Sequence, residues 1–155
     1  MLLYHGSNMT IDEIDLAKSR PYKDFGKAFY LSADEGQARE MAHFKVLTSG
    51  GSAEISVFEF DESSLKGLKV KCFEEYTEEW AEFVYNNRDE RQNYQHDYDM
   101  VYGPIANDTV GVQIRDLRER KISLAEFLKN LHYHKGITYQ YAFCTPVAIS
   151  KLKGL

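Results

Sequence analysis

Residues 53–60 read AEISVFEF, and strict alternation sends Ile55, Val57 and Glu59 to one face and Phe58 and Phe60 to the other. β-Branched and aromatic side chains at that spacing suit a pleated surface, so the segment is expected to be a central strand. A central strand needs neighbours, and the chain supplies only short ones. Residues 2–5, 28–31 and 68–70, the run DMVYGP at 99–104 and TYQYAFCT at 138–145 are the other β candidates. They do not alternate strictly with helices, which points to an α+β fold.

Helix signals fill the gaps. Asp34 stands as an N-cap with Gln37 at the capping-box position, and Ala38, Met41, Ala42 and Lys45 follow at helical spacing until the SGG of 49–51 stops them. Trp80, Phe83 and Val84 mark an amphipathic helix after Thr77, and residues 110–118 a short one. Ser123 and Glu126 form a capping box ahead of Leu124, Phe127, Leu128 and Leu131. Thr145 and Pro146 supply a cap and an N1 proline for a last turn. No repeat, low-complexity tract or linker divides the 155 residues, so a single domain over 1–155 is expected. A chain of that size buries about 70% of its unfolded surface and needs no staple.

Composition excludes some roles. A net charge of −5 and a pI near 5.5 leave no basic footprint for a tight nucleic-acid module. No apolar run approaches the ~18 residues of a membrane span, and the opening MLLYHGS lacks signal-peptide character, so a cytoplasmic place with no membrane partner is expected. Cys72 and Cys144 match no zinc or redox spacing and are expected to be buried free thiols. The 14% aromatic content fits either a dense core or a cleft lined by flat side chains.

Three local features carry chemistry. YHGS at 4–7 brings His5 out of a strand into Gly-Ser, where it either bonds a ligand hydroxyl or sits half-buried before an ordinary turn. FGKAFYLS at 25–32 alternates Phe29 with Tyr30, so one of the two leaves the core side; it either stacks a planar ring beside Gly26 or packs plainly. YQYAF at 139–143 puts Gln140 before a buried-looking strand, where its amide must find partners, face a cleft or lie on an exposed edge.

As an ordered set, LYHGS, FGKAFYLS with its following Asp-led helix, and YQYAF resemble the three-part signature of ADP-ribosyltransferases. The likeness is to the branch of poly(ADP-ribose) polymerases and diphtheria toxin, which typically shows His-Gly-Ser, Phe-Gly-Lys-Gly-Ile-Tyr-Phe and a late Glu-Tyr strand. The chain also resembles a small bacterial family of unknown function placed with these transferases, through SRPYKDFGKAFYLS and DYDMVYGPIANDTV. The resemblance implies a split β-sandwich of two small sheets with flanking helices, and NAD as substrate. NAD is cleaved between nicotinamide and ribose through an oxocarbenium-like state. By similarity His5 would bond the adenosine-side ribose, backbone groups of Gly6 would clamp the nicotinamide amide, and Ser7 would assist. Tyr30 would wall the nicotinamide pocket. Tyr4, Gly26, Lys27 and Phe29 belong to the same NAD-binding set, with Lys27 either a phosphate neighbour or simply solvated.

Where that pattern has its catalytic glutamate, this chain has Gln140, so the catalytic set would be Gln140, His5 and Tyr30. Losing one preorganised electrostatic partner costs about 10²–10³ in rate. Asp97, Asp99, Asn107 and Asp108 surround the 99–104 strand; Asp99 or Asp108 is the expected surrogate acid and Asn107 a further NAD contact, unless these residues only make turn bonds. His132 and His134 lack a third ligand, so no metal is expected, and His43 and His96 read as surface residues. The implied activity is mono-ADP-ribosylation of a macromolecular acceptor, with the acidic charge favouring protein over nucleic acid. The resemblance further implies an intracellular toxin of a toxin–antitoxin or phage-defence pair, with an antitoxin protein as partner. The alternative is a weak or inactive NAD- or ADP-ribose-binding module, which Gln140 favours.

Overall fold

A computed structural model describes residues 1–106, 108–132 and 137–155. The alternating segment forms strand β3 (Glu54–Phe60), which is central as expected: β1 (Leu2–Ser7) pairs with one edge and β7 (Leu152–Gly154) with the other, both antiparallel. The second sheet runs β2 (Phe29–Leu31), β6 (Tyr139–Phe143), β5 (Met100–Pro104), β4 (Val70–Cys72), with β4 and β5 parallel and the other pairs antiparallel. Helices α1 (Glu35–Ser49), α2 (Glu78–Arg88), α3 (Asp108–Arg118), α4 (Leu124–His132) and α5 (Pro146–Ile149) complete a mixed α+β architecture of two small sheets among the described residues. Strand β7 was invisible to pattern reading. Its three residues have no alternation of their own and are recruited by backbone pairing, continued by Leu155 N–H donating to Val57 O at 3.0 Å.

Sheet alternation divides the side chains between two cores. Leu3, Phe29, Leu31, Phe58, Phe60, Met100, Tyr141 and Phe143 pack together between the sheets, with Phe60 edge-on to Phe143 at 5.2 Å and Phe29 edge-on to Phe58 at 5.7 Å. The opposite face of the larger sheet, with Val101 and Ala142, is covered by Trp80, Phe83, Val84, Val110, Ile114, Phe127 and Leu131 from α2, α3 and α4. Gln140 and Tyr30 share that helix-covered side with Ala142, since Tyr30 is the register partner of Ala142 and Gln140 lies two residues further along β6. The aromatic excess is thus largely core.

Caps fall where the polar residues announce them. Asp34 accepts from Gly36 N–H at 2.8 Å, Thr77 from Trp80 N–H at 3.1 Å and Ser123 from Glu126 N–H at 3.1 Å. Besides the inter-sheet core, one isolated backbone bridge among the described residues links the two sheets, in which Tyr4 N–H donates to Ser32 O at 2.8 Å and Ser32 N–H returns to Tyr4 O at 2.9 Å. Both cysteines are free, but neither is fully buried: Cys72 is exposed on the edge strand β4, and Cys144 is half-buried. Among the described residues no helix is long and apolar enough to cross a membrane.

Candidate functional site around His5, Tyr30 and Gln140

β1 runs on through Gly6 and Ser7, so His5 lies within the strand, opposite Ser56 of β3, and does not leave it for a turn as the sequence suggested. Its Nδ1 donates to the Tyr30 carbonyl at 2.7 Å, and its ring stacks on Phe29 at 4.2 Å with 25° between planes. A carbonyl only accepts, so Nδ1 carries the proton and Nε2 is left as the acceptor of the neutral ring. Burial and then the Lys45 ammonium lower its pKa to about 4, so the ring is neutral near pH 7.

The Tyr30 side chain goes to the other face of its strand. Its hydroxyl donates to Gly26 O at 2.6 Å and accepts from Phe25 N–H at 3.0 Å, which pins the ring under the 23–26 turn. Burial and then the neighbouring Asp24 raise its pKa well above the usual phenol value, so it remains a neutral phenol. Lys23 Nζ stands 5.6 Å above the same ring. Gly26 has φ +85°, and a Cβ there would lie 3.0 Å from Asn87 Oδ1. Its glycine therefore serves a tight turn packed on α2 and does not open a path for a flat ring, which corrects that reading of the motif. Phe29 likewise supports His5 from the inter-sheet core and presents no face to a cleft, and Lys27 is exposed.

Gln140 is neither an edge residue nor unpartnered. Its Nε2 donates to Asp24 Oδ2 at 3.1 Å. Asp24 is buried at 8% exposure and accepts Arg88 Nε at 2.7 Å, Arg88 Nη2 at 2.5 Å and Ala106 N–H at 3.0 Å. Because a carboxylate only accepts, Gln140 must turn its NH₂ towards Asp24, leaving Oε1 as the acceptor. Tyr30 and Gln140 are diagonal neighbours on one sheet face, a placement within reach of long and aromatic side chains. The three sequence features are therefore linked by a chain of contacts, His5 on the Tyr30 carbonyl, Tyr30 beside Asp24 and Asp24 on Gln140, with the His5 ring on the inter-sheet side and the Tyr30 and Gln140 side chains on the helix-covered side.

The remaining expected residues divide. Gly6 packs under α1, where a Cβ would come within 1.9 Å of Ala38 O, and its carbonyl accepts Lys45 Nζ at 2.8 Å. Helix packing, rather than ligand approach, fixes glycine there. Tyr4 takes part through the backbone bridge to Ser32, and Ser7 is buried at the end of β1. Asp99 is not the surrogate acid. It accepts Lys69 N–H at 2.9 Å and the Thr145 hydroxyl at 2.7 Å, and Cys144 N–H bonds its carbonyl. That is the far end of the β5–β6 pair, where Gly103 rather than Asp99 faces Gln140. Asp97 is an exposed partner of Lys69. Asn107, His134 and the side chains of Asp108 and His132 lie outside the described residues. His96 is no mere surface residue: its Nε2 donates to Phe25 O at 2.7 Å and its Nδ1 accepts Tyr98 N–H at 3.1 Å, tying the 89–98 loop to the 23–26 turn. His43 is exposed.

Asp24 and Arg88 are what sequence reasoning missed. Asp24 stands inside the quoted KDFG run, but Arg88 lies 64 residues away on a helix read only for its apolar stripe. Two surface depressions, one lined by Met1, Phe60 and Lys151 and one by Tyr85, Ile114 and Arg118, lie away from these residues.

Over residues 1–153 the chain matches the family model described as "Protein of unknown function (DUF3990)", and it belongs to that family. No curated protein and no solved structure matches it.

Proposed function

We propose that this chain is an NAD-dependent mono-ADP-ribosyltransferase of the poly(ADP-ribose) polymerase and diphtheria-toxin type, with an ADP-ribosyltransferase-like split sandwich. The observation that carries the reading is the contact chain that links His5, Tyr30 and Gln140, with His5 Nε2 and Gln140 Oε1 both left as hydrogen-bond acceptors. Ribose presents hydroxyl donors, and two fixed neutral acceptors are what such hydroxyls need.

In the proposed reaction the bond between ribose C1′ and the nicotinamide nitrogen breaks, and nicotinamide leaves with the bonding pair as a neutral molecule. An acceptor nucleophile then forms a bond to C1′ and loses its proton to solvent. His5 Nε2 accepts from the adenosine-side ribose. Gln140 Oε1 accepts from the 2′-hydroxyl of the nicotinamide-side ribose, where electron density stabilises the oxocarbenium centre. The Tyr30 ring, its hydroxyl already committed to the 25–26 turn, offers only a flat wall. An amide in place of a carboxylate slows this chemistry by about 10²–10³ but leaves catalysis by positioning. The acceptor is proposed to be a protein, and the setting a cytoplasmic toxin held by an antitoxin or acting in phage defence.

A second reading, an NAD- or ADP-ribose-binding module without turnover, is favoured by one observation: Gln140 is tied into an ionic pair and carries no charge. Adenylate-labelled NAD added with purified protein to a cell lysate separates the two. Label on the protein fraction, absent with His5→Ala/Tyr30→Ala, is the expected result. Label on nucleic acid changes the acceptor class. Calorimetric NAD binding without label supports the module, and neither binding nor label overturns both.

A further inference from the structure

We propose that Arg20, Lys23 and Lys45 form a binding site beside His5 for a ligand bearing linked phosphates. Contacts connect the members. Lys45 on α1 donates from Nζ to Gly6 O at 2.8 Å, the residue before it, His5, bonds the Tyr30 carbonyl at 2.7 Å, and Lys23 Nζ stands 5.6 Å above the Tyr30 ring. Arg20 lies in the same loop as Lys23; burial and then Arg20 lower the Lys23 pKa, and burial, then Lys23, then Arg20 lower that of Lys45 to about 8. Cations from a loop and from a helix therefore gather about one histidine.

Among the described residues no carboxylate pairs directly with any of the three, although the chain carries 24 acidic residues against 19 basic ones. Asp24, whose charge reaches Lys23, is already engaged by Arg88, Ala106 and Gln140. Like charges gathered without a counter-ion oppose folding, so their persistence marks a place where a bound anion supplies the missing charge. Donors remain for it. An ammonium has three N–H groups and Lys45 uses one on Gly6, while the exposed Arg20 retains a planar fork suited to phosphate oxygens. This site goes beyond the transferase reading and stands whether or not NAD is turned over.

The probe is inorganic pyrophosphate, titrated calorimetrically into the full chain. The comparison is Arg20→Gln/Lys23→Gln against Lys121→Gln/Lys153→Gln, which removes equal charge from lysines paired with Glu119 and Glu59. Pyrophosphate is expected to bind the wild type and the distant double variant alike, and the near double variant at least about tenfold more weakly. Arg20→Gln alone, on an exposed side chain, carries the same expectation at smaller size and does not threaten the fold. No binding to the wild type, or equal weakening in both double variants, overturns the site. ADP-ribose and adenosine form a second arm: only the former is expected to lose affinity in the near variant. If labelled NAD is never transferred but these differences hold, the transferase reading falls and the phosphate site stands.

Discussion

Gln140 donates its amide to Asp24 at 3.1 Å, and that contact explains why an amide rather than an acid stands at this point of β6. Asp24 is already a buried carboxylate, satisfied by Arg88 and the Ala106 N–H. A second carboxylate at that distance would face it with no proton between them.

Gln140→Glu is therefore expected to weaken the protein without restoring a catalytic acid. Two carboxylates in one site push the pKa of the new one up. The folded state then binds more protons than the unfolded one above the ordinary glutamate pKa of about 4.3, so stability relative to wild type falls as pH rises from there. Urea unfolding should show a loss of about 1–3 kcal/mol at pH 7.5 that shrinks towards pH 4.5. NAD turnover should rise only in Asp24→Asn/Gln140→Glu, where the neighbouring charge is gone. A gain in the single variant would show that the two side chains part in solution.

Arg88 gives the second test. Arg88→Met strips the buried Asp24 of its cation, and leaving such a charge unpaired costs about 3–5 kcal/mol. Asp24→Asn/Arg88→Met should recover much of the loss, since an uncharged pair needs no counter-ion. A urea-denaturation double-mutant cycle reads this directly, and additive losses would mean the pair is not coupled.

The same pair shows which parts of the molecule sequence could disclose. β3 was legible because its own alternation fixes its faces, and α2 and α4 because Thr77 and Ser123 cap them locally. His5, Tyr30 and Gln140 were legible as motif residues, and the sheets link them. What failed was every inference that needed a distant partner. Gly6 and Gly26 looked like openings for a ligand because nothing nearby in sequence shows that α1 and α2 lie against them. Asp99 looked like a spare acid because its partners Lys69 and Thr145 are 30 and 46 residues away. A short polar side chain in a turn reads the same whether it caps a strand or faces a substrate.

Gly6→Ala tests the close approach of β1 to α1. A methyl group placed 1.9 Å from Ala38 O and 2.9 Å from Ala42 N must push the helix away, at a cost of about 3 kcal/mol. Gly67→Ala is the control: its φ of +87° imposes strain, but nothing lies within 4 Å, so about 1 kcal/mol is expected. Equal effects in thermal unfolding would show that the helix yields freely.

His5 makes stability depend on pH in a direction set by its environment. Its folded pKa of about 4 lies below the ordinary value of 6.5, with burial the main cause and the Lys45 ammonium next. Between those values the unfolded chain binds the extra proton and the folded chain does not, so stability from this group is complete above pH 6.5 and is lost as pH falls towards 4. The loss should be on the order of 2 kcal/mol by pH 4.5. Carboxylates titrate in the lower part of that range, so the comparison is wild type with His5→Phe, which retains the ring on Phe29 but cannot take a proton. The wild type should lose more urea resistance than His5→Phe between pH 7.5 and 5.5, and its His5 ring resonances should show no titration above pH 5.5. A midpoint near 6.5 would mean that the ring is solvated and that Nδ1 does not hold the Tyr30 carbonyl, removing the fixed Nε2 acceptor on which the proposed ribose contact depends.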